Sequence, residues 1–390
     1  MHSPVQRLLP LLLASSLLPF LPVTSIASDI PPPQLAARAY VLVEARSGAE
    51  LAAHNADAQM PPASLTKLMT AYVLFGDLRS GHIKLDELIT VGRYAARLPG
   101  ARMFLREGDQ VPAQELFKGM LVQSGNDATF ALIEKASGDL PTFVARMNAA
   151  AAQLGLTHSH FANATGLNNP QHYSSARDLT RLAVAIKRDY PEYAAWFAHK
   201  EYRWADIVQS NRNPLLRDPG VDGLKTGHTE NASYCLVASA ERDGMQLIAT
   251  VLGADNEQER KRSGRRLLNF GFKNFESRLL YRSTMPITTL PVWQGQTDQV
   301  ALGVDQDVWL TLPRASFANL QVGLDLPNTQ LAPVLSGQAL GRLTLVYRGI
   351  PYGEQPLVAL TAVPQGGFAK RNADRLRLWW RGQGFAQAAP

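Results

Sequence analysis

A mixed α+β fold followed by a small all-β domain is the class that the sequence predicts. Three observations carry it. Apolar residues recur at helical spacing through much of residues 64–188, strand-like runs flank that stretch on both sides, and helical periodicity vanishes after about residue 280. Strands on either side of a helical middle are expected to pair in one sheet with the helices packed on it. At 390 residues, 46% apolar and 18% charged, the chain can build real cores, which excludes a disordered or collagen-like protein.

The N-terminus reads as an export signal cleaved after Ala27. Arg7 gives a positive start, an apolar run continues from Leu8 to about Val23, and Ser25-Ile26-Ala27 offers small residues to a signal peptidase. Pro10, Pro19 and Pro22 break the run, leaving it short of the ~20 clean apolar residues of a membrane span. Residues 28–33 form a loose leader. Residues 39–55 alternate around a turn at Ser47-Gly48 and read as a hairpin. Helices are expected over 64–79, 112–137, 143–154 and 176–188, strands at 234–239 and 247–252, and a helix near 257–272. These form a first domain over 28–275. Short β-like runs at 298–304, 307–312, 340–347 and 356–363, separated by Pro, Gly, Asp and Asn, form a second over 280–364.

After Gly366-Gly367, residues 366–384 read as an amphipathic helix. Ala369, Ala373, Leu376 and Trp380 share one face, with Lys370, Arg371, Arg375 and Arg377 spread over the rest. Basic residues and tryptophans suit a membrane interface. Much of the formal +6 charge sits here, and the body is nearly neutral, so a pI near 9.4 does not signal a nucleic-acid partner. The single cysteine, Cys235, excludes an internal disulfide and reads as a small buried residue. His158 and His160 lie two apart without ligand partners, and no metal or cofactor is expected.

Three short motifs carry chemistry. In Ser64-Leu65-Thr66-Lys67, serine and lysine lie one helical turn apart, so a neutral amine can take the hydroxyl proton. Alone this is equally an N-cap serine with a surface lysine. Ser124-Gly125-Asn126 interrupts a helical stretch, as an exposed corner or a plain polar turn would. Lys225-Thr226-Gly227-His228-Thr229 precedes a strand; it suits an edge strand that presents a lysine and a hydroxyl to a ligand carboxylate, or an ordinary turn.

Together the three, in this order and spacing, resemble the serine acyl-transferases that bind penicillin. Ala63–Thr70, Ser124–Ala128, His172–Asp178 and Asp222–Thr229 are similar to the low-molecular-mass penicillin-binding proteins, the serine-type D-alanyl-D-alanine carboxypeptidases. The resemblance covers essentially the whole chain. It implies a D,D-peptidase-like catalytic domain, a small β domain and a peripheral anchor on the periplasmic face of the bacterial inner membrane. It implies Ser64 as acylated nucleophile and Lys67 as general base. Ser124 and Lys225 would pass a proton to the leaving amine, and Asn126 would hold the substrate peptide. The backbone N–H groups of Ser64 and His228 would form the oxyanion hole, with Thr226 and Gly227 lining the edge strand. Arg212 and Arg260 would grip the substrate carboxylate, although Asp255-Asn256-Glu257-Gln258 departs from the family's more basic, glycine-containing stretch. The implied partners are a peptidoglycan stem peptide and β-lactam inhibitors. A class A β-lactamase fits less well, since residues 163–168 contain no glutamate to activate water. A D,D-endopeptidase that cuts cross-links, or a catalytically silent wall scaffold, stays open at this point.

Overall fold

The computed structural model describes residues 30–385, so the export signal expected over 1–27 lies outside the described residues. The terminal strands do pair. β1 (Ala39–Glu44), β2 (Glu50–His54), β3 (Val221–Thr229), β4 (Ser233–Arg242) and β5 (Met245–Ala254) form one antiparallel sheet in the order β2-β1-β5-β4-β3. Both faces are covered, which is why both parities of β1 are apolar. Ala39 and Val41 enter the core on the helical side with Leu68, Leu179 and Ile248. Tyr40 and Leu42 face the other way, onto Leu267 and Leu268. The helices that position the site are α1 (Lys67–Arg79), α2 (Asn126–Ser137) and α3 (Ala176–Asp189), with α4 (Glu257–Asn274) on the opposite face.

The expected helix over 112–137 is divided. Gln110–Pro112 is a short strand, Ala113–Lys118 is helical, and a wider turn over Gly119–Gln123 ends at Ser124, whose φ is +68°. That left-handed residue cannot continue a helix, so α2 starts afresh at Asn126.

Between residues 275 and 365 the chain is almost entirely β. Phe275–Tyr281 pairs with Val308–Pro313, and six strands form a second sheet around Leu302, Leu310, Leu343 and Leu357. Its last long strand runs over Ile350–Ala359, earlier than the 356–363 run suggested. Val363 is instead held by a bridge to Val334. Hydrogen bonds join the two sheets' regions. Buried Glu44 accepts from the N–H and hydroxyl of Ser47, whose Oγ bonds Thr311 Oγ1 at 2.7 Å. Helix α5 (Phe368–Phe385) docks through buried Asp374, which accepts from the Gln294 N–H at 2.8 Å and from Lys370.

Candidate active site

Pro61-Pro62 ends the preceding segment and a 3-10 turn, Ala63–Thr66, leads into α1. Ala63 has φ +48°, a strained value for a residue with a side chain. Side chains hold that turn. Thr66 Oγ1 donates to the Ala63 carbonyl at 2.7 Å. His172 Nδ1 accepts the Ala162 N–H at 3.0 Å, so its proton sits on Nε2 and is donated to Thr66 Oγ1 at 2.6 Å. Burial, assisted by nearby His160, lowers the His172 pKa to about 4, which keeps the ring neutral. Gly227 approaches the same turn: a Cβ there would lie 3.0 Å from the Pro62 carbonyl and 3.1 Å from the Ser64 nitrogen. At Gly166, φ is +86° and a Cβ would collide with the Ala63 carbonyl.

Lys67 sits one turn beyond Ser64 and is wholly buried. Its Nζ donates to Asn126 Oδ1 at 2.7 Å, the Thr165 carbonyl at 2.9 Å and Ser64 Oγ at 3.3 Å. Burial lowers its pKa to about 7; the positive charge of Arg212 adds to the fall, and Asp127 opposes it. A lysine so placed is partly neutral at neutral pH and in reach of the serine hydroxyl, as a general base must be.

The Ser124-Gly125-Asn126 corner does join two helical segments, but it is buried, not exposed as the sequence suggested. The cause is Asp127. Its carboxylate accepts from the N–H groups of Met103 and Leu105, drawing the 99–105 segment over the corner. Asn126 completes the closure: its N–H donates to the Ala101 carbonyl and its Nδ2 to the Pro99 carbonyl at 2.6 Å. Ser124 Oγ is buried without a hydrogen-bond partner among the described residues.

β3 is the outermost strand of its sheet, hydrogen-bonded to β4 on one side and facing the turn before α1 on the other. Buried Lys225 donates to the Thr226 carbonyl at 3.1 Å and is not hydrogen-bonded to Ser124. Its pKa falls well below the ordinary lysine value through burial and the charges of Lys67, Arg212 and Arg260. The His228 ring packs at a tilt against that of Tyr234, with the centroids 4.1 Å apart. Cys235 lies opposite Gly227 in the ladder, is buried, and has its thiol pKa raised to about 11 by burial. A cleft of about 300 Å³ is lined by Ser64, Ser124, Asn126, Thr226, Gly227 and His228, with Arg212 and Arg260 also on its wall.

Comparison with known proteins decides the family. Residues 26–256 match the D-alanyl-D-alanine carboxypeptidase family, and residues 275–365 match the C-terminal domain of penicillin-binding protein 5. The chain belongs to the D-alanyl-D-alanine carboxypeptidase family. It is 39% identical over 355 residues to the D-alanyl-D-alanine carboxypeptidase DacA of Escherichia coli K12, covering 89% of this chain and 88% of that one. DacF of Bacillus subtilis is 33% identical, covering 85% and 87%. Among solved structures, penicillin-binding protein 5 of Haemophilus influenzae superposes with a TM-score of 0.82 at 37% identity, over 86% of this chain and all of that one.

Within this family's cleft, the structure brings together Ser64, Ser124, Asn126, Thr226, Gly227, His228, Arg212 and Arg260, with Lys67 hydrogen-bonded to Ser64 and Asn126. It does not hydrogen-bond Lys225 to Ser124. Arg212 is exposed and donates through Nε to the Gln123 carbonyl. Arg260 is buried and paired with Glu257 at 2.7 Å. Sequence reasoning assigned no role to Thr165, His172 or Asp127. Thr165 acts through a backbone carbonyl, which no side-chain motif reveals. His172 and Asp127 act on segments 106 and 24 residues away respectively, though both stand inside runs that carried the family resemblance.

Proposed function

We propose that Ser64 is the acylated nucleophile, and Lys67 its general base, of a serine-type D-alanyl-D-alanine carboxypeptidase acting on peptidoglycan stem peptides. The observation that carries this assignment is the buried Lys67 Nζ, 3.3 Å from Ser64 Oγ with a pKa brought to about 7. Neutral Lys67 takes the hydroxyl proton as Ser64 Oγ attacks the carbonyl carbon of the penultimate D-alanine. The developing oxyanion turns toward the backbone N–H groups of Ser64 and His228. The C–N bond then breaks, and the leaving amine takes a proton by way of Ser124 and Lys225. Ser124 Oγ has no competing partner among the described residues, which leaves its hydroxyl available to the substrate. Terminal D-alanine departs and water hydrolyses the ester. Asn126 and Thr226 hold the peptide, and Arg212 and Arg260 draw its carboxylate. A β-lactam carbonyl meets the same serine, and its acyl group stays on Ser64. Penicillin-binding protein D2 of Listeria monocytogenes, solved in its ampicillin-bound form, shares this fold at 30% identity and a TM-score of 0.58, over 62% of this chain and all of that one.

The test is the product mass after incubation with a pentapeptide muropeptide and with a cross-linked dimer. The wild type removes one alanine from the pentapeptide, and Ser64→Ala lowers that rate by roughly 10³-fold or more. Cleavage of the dimer alone shifts the reading to an endopeptidase; cleavage of neither overturns it.

We further propose that the exported protein rests on the periplasmic face of the inner membrane through α5. Phe368, Leu376, Trp379 and Trp380 are all exposed, a costly arrangement in water and a favourable one at a lipid interface. No described helix is long and apolar enough to cross a membrane, so the reading is of a surface anchor. The full chain sediments with anionic vesicles, and changing Trp379 and Trp380 to serine releases it; equal sedimentation of both overturns the anchor.

A further inference from the structure

The wall of the cleft that receives the substrate carboxylate contains a carboxylate of its own. Glu257 stands at the first position of α4, after the Asn256 cap, and lines the same cleft as Ser64 and Arg212. Its Oε1 accepts from Arg260 Nη2 at 2.7 Å. The partners differ in exposure: the Arg260 side chain is 5% exposed and that of Glu257 63%. Arg260 is further confined by the Tyr234 ring, 5.7 Å from its guanidinium carbon, and its Nε has no hydrogen-bond partner among the described residues. A buried guanidinium thus sits in the cleft wall while the group that neutralises it is largely exposed to solvent. An incoming carboxylate has to share Arg260 with Glu257 or displace it, against the repulsion of a like charge.

We propose that Glu257 is a specificity-determining residue, an internal competitor that weakens selection for substrates ending in a free carboxylate relative to those ending in a neutral carboxamide. This deepens the carboxypeptidase reading and rests on it. Two other roles are chemically reasonable for a glutamate here, and each predicts a different result. An acidic side chain in the first turn favours a helix through its dipole. A glutamate can also orient an arginine for its ligand, so that removing it harms binding.

The experiment uses the full-length enzyme and two peptides, one ending in D-Ala-D-Ala with a free carboxylate and the other the same peptide as its C-terminal carboxamide. The readout is the ratio of kcat/KM for acid over amide. In Glu257→Gln this ratio rises on the order of fivefold, the size of a partly solvated charge–charge contact, and the gain appears in KM for the acid. Glu259→Gln is the control. Glu259 lies in the same first turn but pairs with Arg262 at 3.0 Å and does not line the cleft, so its loss leaves the ratio where it was. An unchanged ratio in Glu257→Gln reduces Glu257 to a helix-terminal charge and overturns the proposal. A lower ratio makes it the orienting partner of Arg260 and overturns it equally. Labelling of Ser64 by a fluorescent penicillin, measured beside thermal melting, shows that each variant is folded with an intact nucleophile. If the wild type takes the label yet cleaves neither peptide, the carboxypeptidase reading fails and the competitor falls with it. If it cleaves the acid, the ratio speaks of Glu257 alone.

Discussion

The two halves of this molecule bury different things. Inside the first, up to residue 274, Glu44, Lys67, Asp77, Asp127, Asp178, Lys225 and Arg260 are all buried, each charged group held by hydrogen bonds or displaced in its protonation. Between residues 275 and 365 the buried polar side chains are Thr311 and Ser316, neither of them charged, around a core of leucine, valine and tyrosine. Burying charge costs free energy unless every group is paired, so a fold does it where something is gained. In the first half the gain is chemistry: a lysine with its pKa near 7 exists only because water is kept from it. The second half, spared that demand, is built chiefly on apolar packing.

Truncating the β core is the harshest way to break this contrast. Leu343 is fully buried there, and Leu343→Ala is expected to cost about 2–5 kcal/mol of that core's stability. D-alanine release below the melting transition is expected to stay within about twofold of wild type, because no residue of that core lines the cleft. Calorimetry and kinetics on the same sample decide; a fall in kcat/KM parallel to stability would show the halves to be energetically one. A smaller effect sharpens the contrast. The proposed base, Lys67, can act only when neutral, and its lowered pKa makes the neutral form dominant above about pH 7. Acylation by a β-lactam should therefore fall about tenfold per pH unit below 7 and level off above it. A rise delayed to pH 10 would mean that Lys67 keeps an ordinary lysine pKa and is not the base.

Much of the site was legible in advance because its parts are local. Ser64 and Lys67 are one helical turn apart, and Lys225-Thr226-Gly227 is one stretch of strand. The alternation of 39–55 and the loss of helical period after residue 280 were equally local. Legibility ended where a residue acts across the chain. The Ser124 corner reads as exposed because three small polar residues suit a surface. It is buried because Asp127 pulls the backbone of Met103 and Leu105 over it. The family resemblance makes Arg260 a carboxylate receptor; whether Glu257, three residues earlier, would turn toward it or toward solvent depends on the cleft wall between them and water.

From the sequence alone follow the kinds of groups present, their order, and the helix and strand periods that carry them, since these depend on bonded neighbours a few residues apart. Tertiary structure decided the rest. Lys67 loses its water only when Thr165, 98 residues later, and Asn126, 59 residues later, close around it. Ala63 stays strained only while Thr66 and His172 hold its turn. A pKa and a strained turn both depend on what surrounds a group in space, and that is settled only when distant segments pack together.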